Sequence, residues 1–300
     1  MRALCFVVLA LLVVPQTQAP DTEVFLAKLA SAGGKLSLSQ PENISNSPGY
    51  DNQPSFTPDG AAVFFTSARG GVPEGGKTAQ MDIYRYDIAT RKIAQVTRTS
   101  ESEYSATVTP DGRHISVIRV EADNTQRLWQ FTLAGGEPAL VLADVKPVGY
   151  HAWLDANTVA MFVLGQPATL QIGDVRSGKS EVVAKDIGRS LQRMPGGGVS
   201  YVQRAGQDSA RTMTIVQLIL EKGGPQTKPL TAVAPGATEE FVAWTPDGTM
   251  LMAANGQLYA WRRDDPNWRS VADLTAMGLK NVSRLAVSPQ GDTLALVAAR

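Results

Sequence analysis

Apolar residues in this chain come in short alternating or continuous runs, each closed by Gly, Pro, Asn or Asp, which is the pattern of β-strands joined by turns. The clearest unit is 52–97. Pro54-Ser55-Phe56 leads into Thr57-Pro58-Asp59-Gly60, and Ala61-Ala62-Val63-Phe64-Phe65-Thr66-Ser67 reads as a second strand. Asp82-Ile83-Tyr84-Arg85-Tyr86-Asp87 reads as a third and Lys92-Ile93-Ala94-Gln95-Val96-Thr97 as a fourth. A unit of about 45 residues with four strands, returning along the chain, predicts a propeller blade.

The copies follow in order. A second turn, Thr109-Pro110-Asp111-Gly112, precedes strands at 114–120, 127–132 and 139–142. The third copy has the weaker turn Leu154-Asp155-Ala156-Asn157, and the fourth is reduced to Met194-Pro195-Gly196-Gly197. The fifth restores Thr245-Pro246-Asp247-Gly248 and adds Asn255-Gly256, the pair suited to the two positive-φ positions of a type I′ hairpin. The sixth, from Leu285, supplies only two strands. Residues 23–29 and 35–39 offer two more, with Glu23-Val24-Phe25 matching Asp82-Ile83-Tyr84 in residue type. The expectation is therefore an all-β, six-bladed β-propeller of four-stranded blades, the last closed by N-terminal strands 23–29 and 35–39 joining C-terminal strands 285–297. Such closure covers edges that would otherwise be open.

Local chemistry accounts for the turn motif. Pro presets φ, Asp hydrogen-bonds nearby amides and Gly accepts a positive φ. Asp59, Asp111 and Asp247 are thus read as folding signals on separate blades. Ahead of each turn, Phe56, Val108, Trp153, Trp244 and Val287 are apolar, and their predecessors Ser55, Thr107, Ala152, Ala243 and Ala286 are small. Strand alternation sends the two sets to opposite faces, so a large face can pack on a small one between blades. Arg193 breaks this series.

Repeated Pro-Asp-Gly turns followed by Asp82-Ile83-Tyr84 resemble the WD40-like (PD40) repeats of TolB-type β-propellers. The resemblance extends over nearly all of 21–300 and is strongest in blades one, two and five. It implies a six-bladed propeller of the bacterial periplasm that acts through protein contacts. TolB-type proteins place a separate domain before the propeller, where this chain has only about thirty residues against a typical domain of 50 or more. A Tol-Pal role is accordingly not carried over.

Composition narrows the compartment and the partner. Met1-Arg2, the apolar run 3–14 and Thr17-Gln18-Ala19 read as a signal peptide over 1–19, leaving 20–300 as a single propeller domain. The expected location is periplasmic or secreted. No later segment is long and apolar enough to span a membrane. The one cysteine, Cys5, falls inside that apolar run, so the exported chain would have no disulfide. Lys plus Arg and Asp plus Glu each number 28, which removes the basic footprint needed for nucleic acid.

Loops around the channel are expected to carry Tyr50, Asp51, Asn52, Gln53, Glu103, Tyr104, Tyr150, His151, Arg189, Glu239, Glu240, Phe241 and Arg284. Aromatic bodies mixed with carboxylates and arginines suit a protein or peptide surface. The leading expectation is a monomeric binding scaffold for an envelope protein or peptide, with no catalytic residue, metal or cofactor assigned. Two alternatives stand beside it: a glycan-binding module, or a propeller enzyme, a sugar or lactone lyase or hydrolase with a carboxylate-held divalent metal in the channel. The enzyme would require three or more of Asp51, Glu103, His151, Glu239 and Glu240 to converge. With His114 and His151 the only histidines, no zinc site of ordinary composition is available, and no Gly-x-Ser-x-Gly elbow occurs. Gly-rich runs at 70–76 and 196–198 read as surface loops.

Overall fold

The computed structural model describes residues 19–76, 78–206 and 211–300. The signal-peptide expectation therefore lies outside the described residues, apart from Ala19. Strands β1 (Thr22–Ala32), β2 (Lys35–Leu38) and β3 (Glu42–Asn43) come first. Blade one follows with β4 (Asp51–Phe56), β5 (Ala62–Ser67), β6 (Asp82–Asp87) and β7 (Lys92–Gln95). Blade two holds β8 (Ser102–Val108), β9 (His114–Val120), β10 (Gln126–Thr132) and β11 (Ala139–Leu140). Blade three has β12 (Val148–Trp153), β13 (Thr158–Val163), β14 (Thr169–Asp174) and β15 (Lys179–Lys185). Blade four comprises β16 (Ile187–Arg193), β17 (Val199–Ala205), β18 (Thr212–Glu221) and β19 (Gly224–Ala232). Blade five contains β20 (Val242–Trp244), β21 (Thr249–Ala254), β22 (Gln257–Arg262) and β23 (Arg269–Asp273). The last two strands are β24 (Lys280–Val287) and β25 (Thr293–Ala299).

Each blade is an antiparallel sheet, and together the six form a β-propeller. The closing blade runs β2-β1-β25-β24, with Val24 opposite Val297 and Phe25 opposite Leu296. Strand β3 makes an extra pairing with β1. The shared blade expected from the truncated sixth repeat is thus present, although its first strand starts at Lys280 instead of Leu285. A carboxylate–guanidinium contact also crosses this junction, Arg300 Nε lying 3.6 Å from Oε1 of the buried Glu23.

Burial is organised by interface. Six hydrophobic clusters each straddle two neighbouring blades. Trp153 packs with Ile118 and Leu128 of the preceding blade, and Trp244 with Val202 and Ile215. On the opposite face, Ala152 meets Leu191 of blade four and Ala243 meets Leu285 of blade six. This is the large-on-small packing that the alternation predicts.

The two tryptophans also need an acceptor for the indole N–H. Trp153 Nε1 donates to Ser116 Oγ and Trp244 Nε1 to Ser200 Oγ, each at 2.9 Å. Ser116 and Ser200 occupy equivalent second-strand positions one blade back. At the matching place before Arg193 the residue is Ala160, which has no side-chain acceptor, so an indole there would lack its partner. Arg193 is exposed and borders the channel.

The turns follow the expected chemistry with one addition. Asp59 Oδ1 accepts from the Ala61 amide at 3.0 Å, and Gly60 has φ +71°. The Thr57 hydroxyl donates to Asp59 at 2.6 Å while its oxygen accepts from the Ala62 amide at 3.0 Å. Thr109–Asp111 and Thr245–Asp247 repeat this pair. Threonine is therefore a working part of the motif.

Candidate functional site

The first strand of every blade contributes to one central cavity of about 310 Å³. In five blades that strand slips register near its start: between Asn52 and Ser55, Tyr104 and Thr107, Val148 and Tyr150, Ile187 and Leu191, and Lys280 and Arg284. Such bulges re-aim side chains and cluster near rims and sites. Gln53 and Ser105 sit in two of them with φ of +57° and +56°, a region that costs a non-glycine residue free energy. Gln53 Oε1 offsets this by accepting from the Thr66 hydroxyl at 2.8 Å and from the Ser105 amide at 3.1 Å, which links the two bulges.

The candidate residues fall mostly within these strands, not in loops as the repeat pattern implied. Only Tyr50, Glu239, Glu240 and Phe241 lie in connections. Alternation within a strand then separates them, because one face turns to the channel and the other into the blade.

The carboxylates turn inward. Asp51, 1 % exposed, is 3.2 Å from Arg69 Nη2, and that guanidinium stacks 5.1 Å from the ring centres of both Phe65 and Tyr84. Burial still holds its carboxyl above the usual range, against the lowering effect of Ser67 and Arg69. Glu103, fully buried, accepts from the Thr99 hydroxyl at 2.5 Å and has Arg119 Nε at 3.5 Å. Desolvation pushes it up to about 7, although Thr99, Thr97 and Arg119 pull the other way. Glu240 is paired with Arg204 and accepts from the Arg189 amide at 2.9 Å. A Cβ on Gly188 would stand 2.5 Å from its Oε2, so that position has room only for glycine. Glu239 borders a separate cavity beside Lys280. Among the described residues, no group of three or more His, Cys, Asp or Glu could hold a metal ion. The convergence required for a carboxylate-held metal is thus not met there.

His151 lies in the cavity wall but is itself buried. Its Nε2 lies 2.7 Å from Ser116 Oγ, its Nδ1 is buried without a partner, and burial lowers its pKa to about 4. Asn52 caps its own bulge, its Oδ1 accepting from the Gln53 amide at 2.8 Å.

The aromatic and basic residues do come together. Arg284 Cζ stands 3.8 Å from the Phe241 ring centre and 5.0 Å from that of Tyr150, and its Nη2 donates to the Tyr150 hydroxyl at 2.8 Å. Arg189 Cζ lies 5.8 Å from Phe241, and Tyr150 meets Phe241 edge-on at 6.3 Å. Tyr50 belongs to the same group: burial raises its pKa, and the charges that act on it are those of Arg284, Tyr150, Tyr104 and Arg189. Arg193, Trp153, Trp244 and Phe56 line the cavity farther along. No Asp or Glu is among the described residues that border it.

One sequence signal met an unsuitable context. Gly71-Val72-Pro73-Glu74-Gly75-Gly76-Lys77-Thr78 spells a phosphate-loop string, but it is followed by strand β6 and not by a helix whose N-terminus could take a phosphate.

No family model and no curated protein matches the chain in sequence. Solved structures do match it in shape. A protein assigned as TolB from Agrobacterium tumefaciens aligns with a TM-score of 0.65 at 14% identity, over 92% of this chain and 98% of that one. The gluconolactonase XC5397 of Xanthomonas campestris aligns at 0.60 with 8% identity, over 96% and 99%. An oligogalacturonate lyase solved with manganese aligns at 0.55 with 14% identity, over 88% and 82%. The chain thus shares the propeller fold with a TolB protein and with enzymes alike.

Proposed function

We propose that this propeller is an exported binding module of the cell envelope, a monomer that holds a protein or peptide partner at the arginine–aromatic end of its channel. Residues 1–19 act as its signal peptide and 20–300 as its one domain. The observation that carries the reading is the packing of Phe241 against Arg284, Arg189 and Tyr150. Rigid aromatic and arginine side chains beside a desolvated pocket are the residue types that dominate protein-binding energy. Tyr50, Tyr104, Tyr150, Arg189, Phe241 and Arg284 form the binding group, while Asp51, Glu103 and Glu240 hold the frame beneath it.

A sugar- or lactone-acting enzyme, the reading that the gluconolactonase and lyase neighbours bring to mind, gains no support from the side chains, because Asp51, Glu103 and Glu240 are each held by an arginine and the buried Asp82 accepts from Gln80 and Gln95. Capture from a bacterial envelope extract tests the proposal. Immobilised wild-type protein should recover proteins that the Arg284→Glu variant does not. Equal recovery by the two would overturn it.

A further inference from the structure

Arg284 differs from every other half-buried arginine among the described residues. Arg69, Arg85, Arg119, Arg127, Arg204 and Arg262 each have a carboxylate within 4.0 Å, whereas Arg284 has none. Arg189 and Arg193, which border the same cavity, also have no carboxylate of the described residues at that distance. Glu240, the chain neighbour of Phe241, is turned to Arg204 and to the Arg189 backbone amide. A half-buried guanidinium without a counter-charge is costly to keep unless something supplies one.

The donors that face the cavity agree with the charge. A guanidinium has five N–H groups, and Arg284 spends one on Tyr150. Having accepted that bond, the Tyr150 hydroxyl keeps its own proton, for which no acceptor lies among the described residues. Ser105 Oγ, on the cavity wall, is buried without a partner. Stacking on Phe241 fixes the plane of Arg284 and so preorganises its fork. These groups present an excess of donors, and the Arg284 guanidinium among them carries a fixed positive charge.

We propose that the group recognised here is a carboxylate, borne by an acidic side chain or free C-terminus of a peptide segment whose tip enters the channel; this rests on the channel mouth being the partner-binding site. Two features favour a peptide over an acidic sugar. Arg284 already lies over the Phe241 and Tyr150 rings on which a pyranose would stack. The cavity, about 310 Å³, is also lined by Trp153, Trp244 and Phe56, walls suited to a methylene stem or an apolar end residue.

The test uses the intact protein in low-salt buffer with an acetylated tetraglutamate peptide that has a free C-terminus, an acetylated and C-terminally amidated tetraglutamine that has no carboxylate, trigalacturonate and inorganic phosphate, read by titration calorimetry. Tetraglutamate should bind, weaken as salt is added, and lose about tenfold or more in affinity in Arg284→Met and in Arg189→Met, as expected for loss of a charge-assisted contact. Arg189 is exposed, so its variant keeps the test sound if Arg284→Met folds poorly. Arg176→Met, exposed on the β14–β15 turn that does not border the cavity, should bind as wild type does. Equal affinity for tetraglutamine, no binding of tetraglutamate, or unchanged affinity in both channel variants would overturn the carboxylate assignment. Binding of trigalacturonate or phosphate in place of tetraglutamate would overturn the peptide assignment. If tetraglutamate fails while envelope capture still depends on Arg284, the carboxylate proposal falls and the binding-module reading stands.

Discussion

Arg284 Nη2 and the Tyr150 hydroxyl, 2.8 Å apart, join the sixth blade to the third. These blades face one another across a six-membered ring, so this bond bridges the channel at the end where the first strands begin. Repetition cannot produce such a contact, since equivalent residues on successive blades point to the same radius without meeting. The bridge exists because the residues at the bulges differ from blade to blade.

Replacing Tyr150 with Phe should separate binding from folding. The substitution removes one hydrogen bond at a half-buried position, so unfolding free energy should fall by no more than about 0.5–1.5 kcal/mol. Affinity for tetraglutamate should drop several-fold, because the O–H donor is gone and Arg284 is freer to move. Calorimetric melting and titration on the same preparation check both parts. A large fall in melting temperature would mark the bridge as part of the fold's framework instead.

Closure of the ring makes a separate prediction. Val24 is fully buried, lies opposite Val297 and packs with Val63 and Phe65 of blade one. Val24→Ala should cost about 1–3 kcal/mol, the range for a cavity in a core. Leu36→Ala in the outermost strand β2, half-buried, should cost less. Deleting 21–40 should lower stability globally, since β1 lies between β25 and β2 and its loss uncovers the edge of β25. A deleted chain that melts with the wild type would contradict the shared blade.

Blade count, the shared blade and the turn chemistry were legible because each depends on a local pattern repeated along the chain. Even the Asn255-Gly256 hairpin has the expected positive φ at both residues, +47° and +72°. The division of the candidate residues was not legible. Asp51 and Gln53 are two apart and share a strand face in a regular ladder, yet Asp51 pairs inward with Arg69 while Gln53 borders the channel. The bulge that contains Gln53 decides this, and it is set by tertiary contacts such as Gln53 with Thr66 and Ser105. Partner arginines were likewise hidden, because Arg69, Arg119 and Arg204 lie 18, 16 and 36 residues from their carboxylates.

Two buried titratable groups should give opposite pH responses. Glu103 has a folded pKa raised from 4.5 to about 7, so the native state holds its proton more tightly than the unfolded chain. Its contribution is fully present below pH 4.5 and is lost as pH rises toward 7. His151 has a folded pKa lowered from 6.5 to about 4, so its contribution is present above pH 6.5 and is lost as pH falls toward 4. The windows overlap and the slopes oppose. Wild-type stability should therefore vary little between pH 4.5 and 6.5 from these two groups. Glu103→Gln should expose a loss of stability toward acid pH, and His151→Gln a loss toward neutral pH. Chemical denaturation across this range checks both signs; parallel profiles for the two variants would refute the assignment.

Ser116 carries more than Ser200, although both accept from a tryptophan. Ser116 is fully buried and touches Trp153 Nε1, His151 Nε2 and the Thr107 carbonyl, the last at 3.1 Å. With His151 neutral, either the imidazole donates to Ser116 Oγ, which then donates to Thr107, or Ser116 donates to the imidazole. Both arrangements are lost in Ser116→Ala, which leaves an indole N–H and a ring nitrogen buried without partners. Each such group costs about 1–3 kcal/mol. Ser200 serves only Trp244, whose indole is half-buried, and a weak contact to the Gln192 carbonyl at 3.5 Å. Ser200→Ala should thus cost clearly less than Ser116→Ala when both are measured by urea denaturation. Because the two serines occupy the same position in the repeat, the difference would report what His151 adds to the interface between blades two and three. Equal losses would show that His151 adds nothing there, and would place its unpartnered Nδ1 outside any energetic role in the fold.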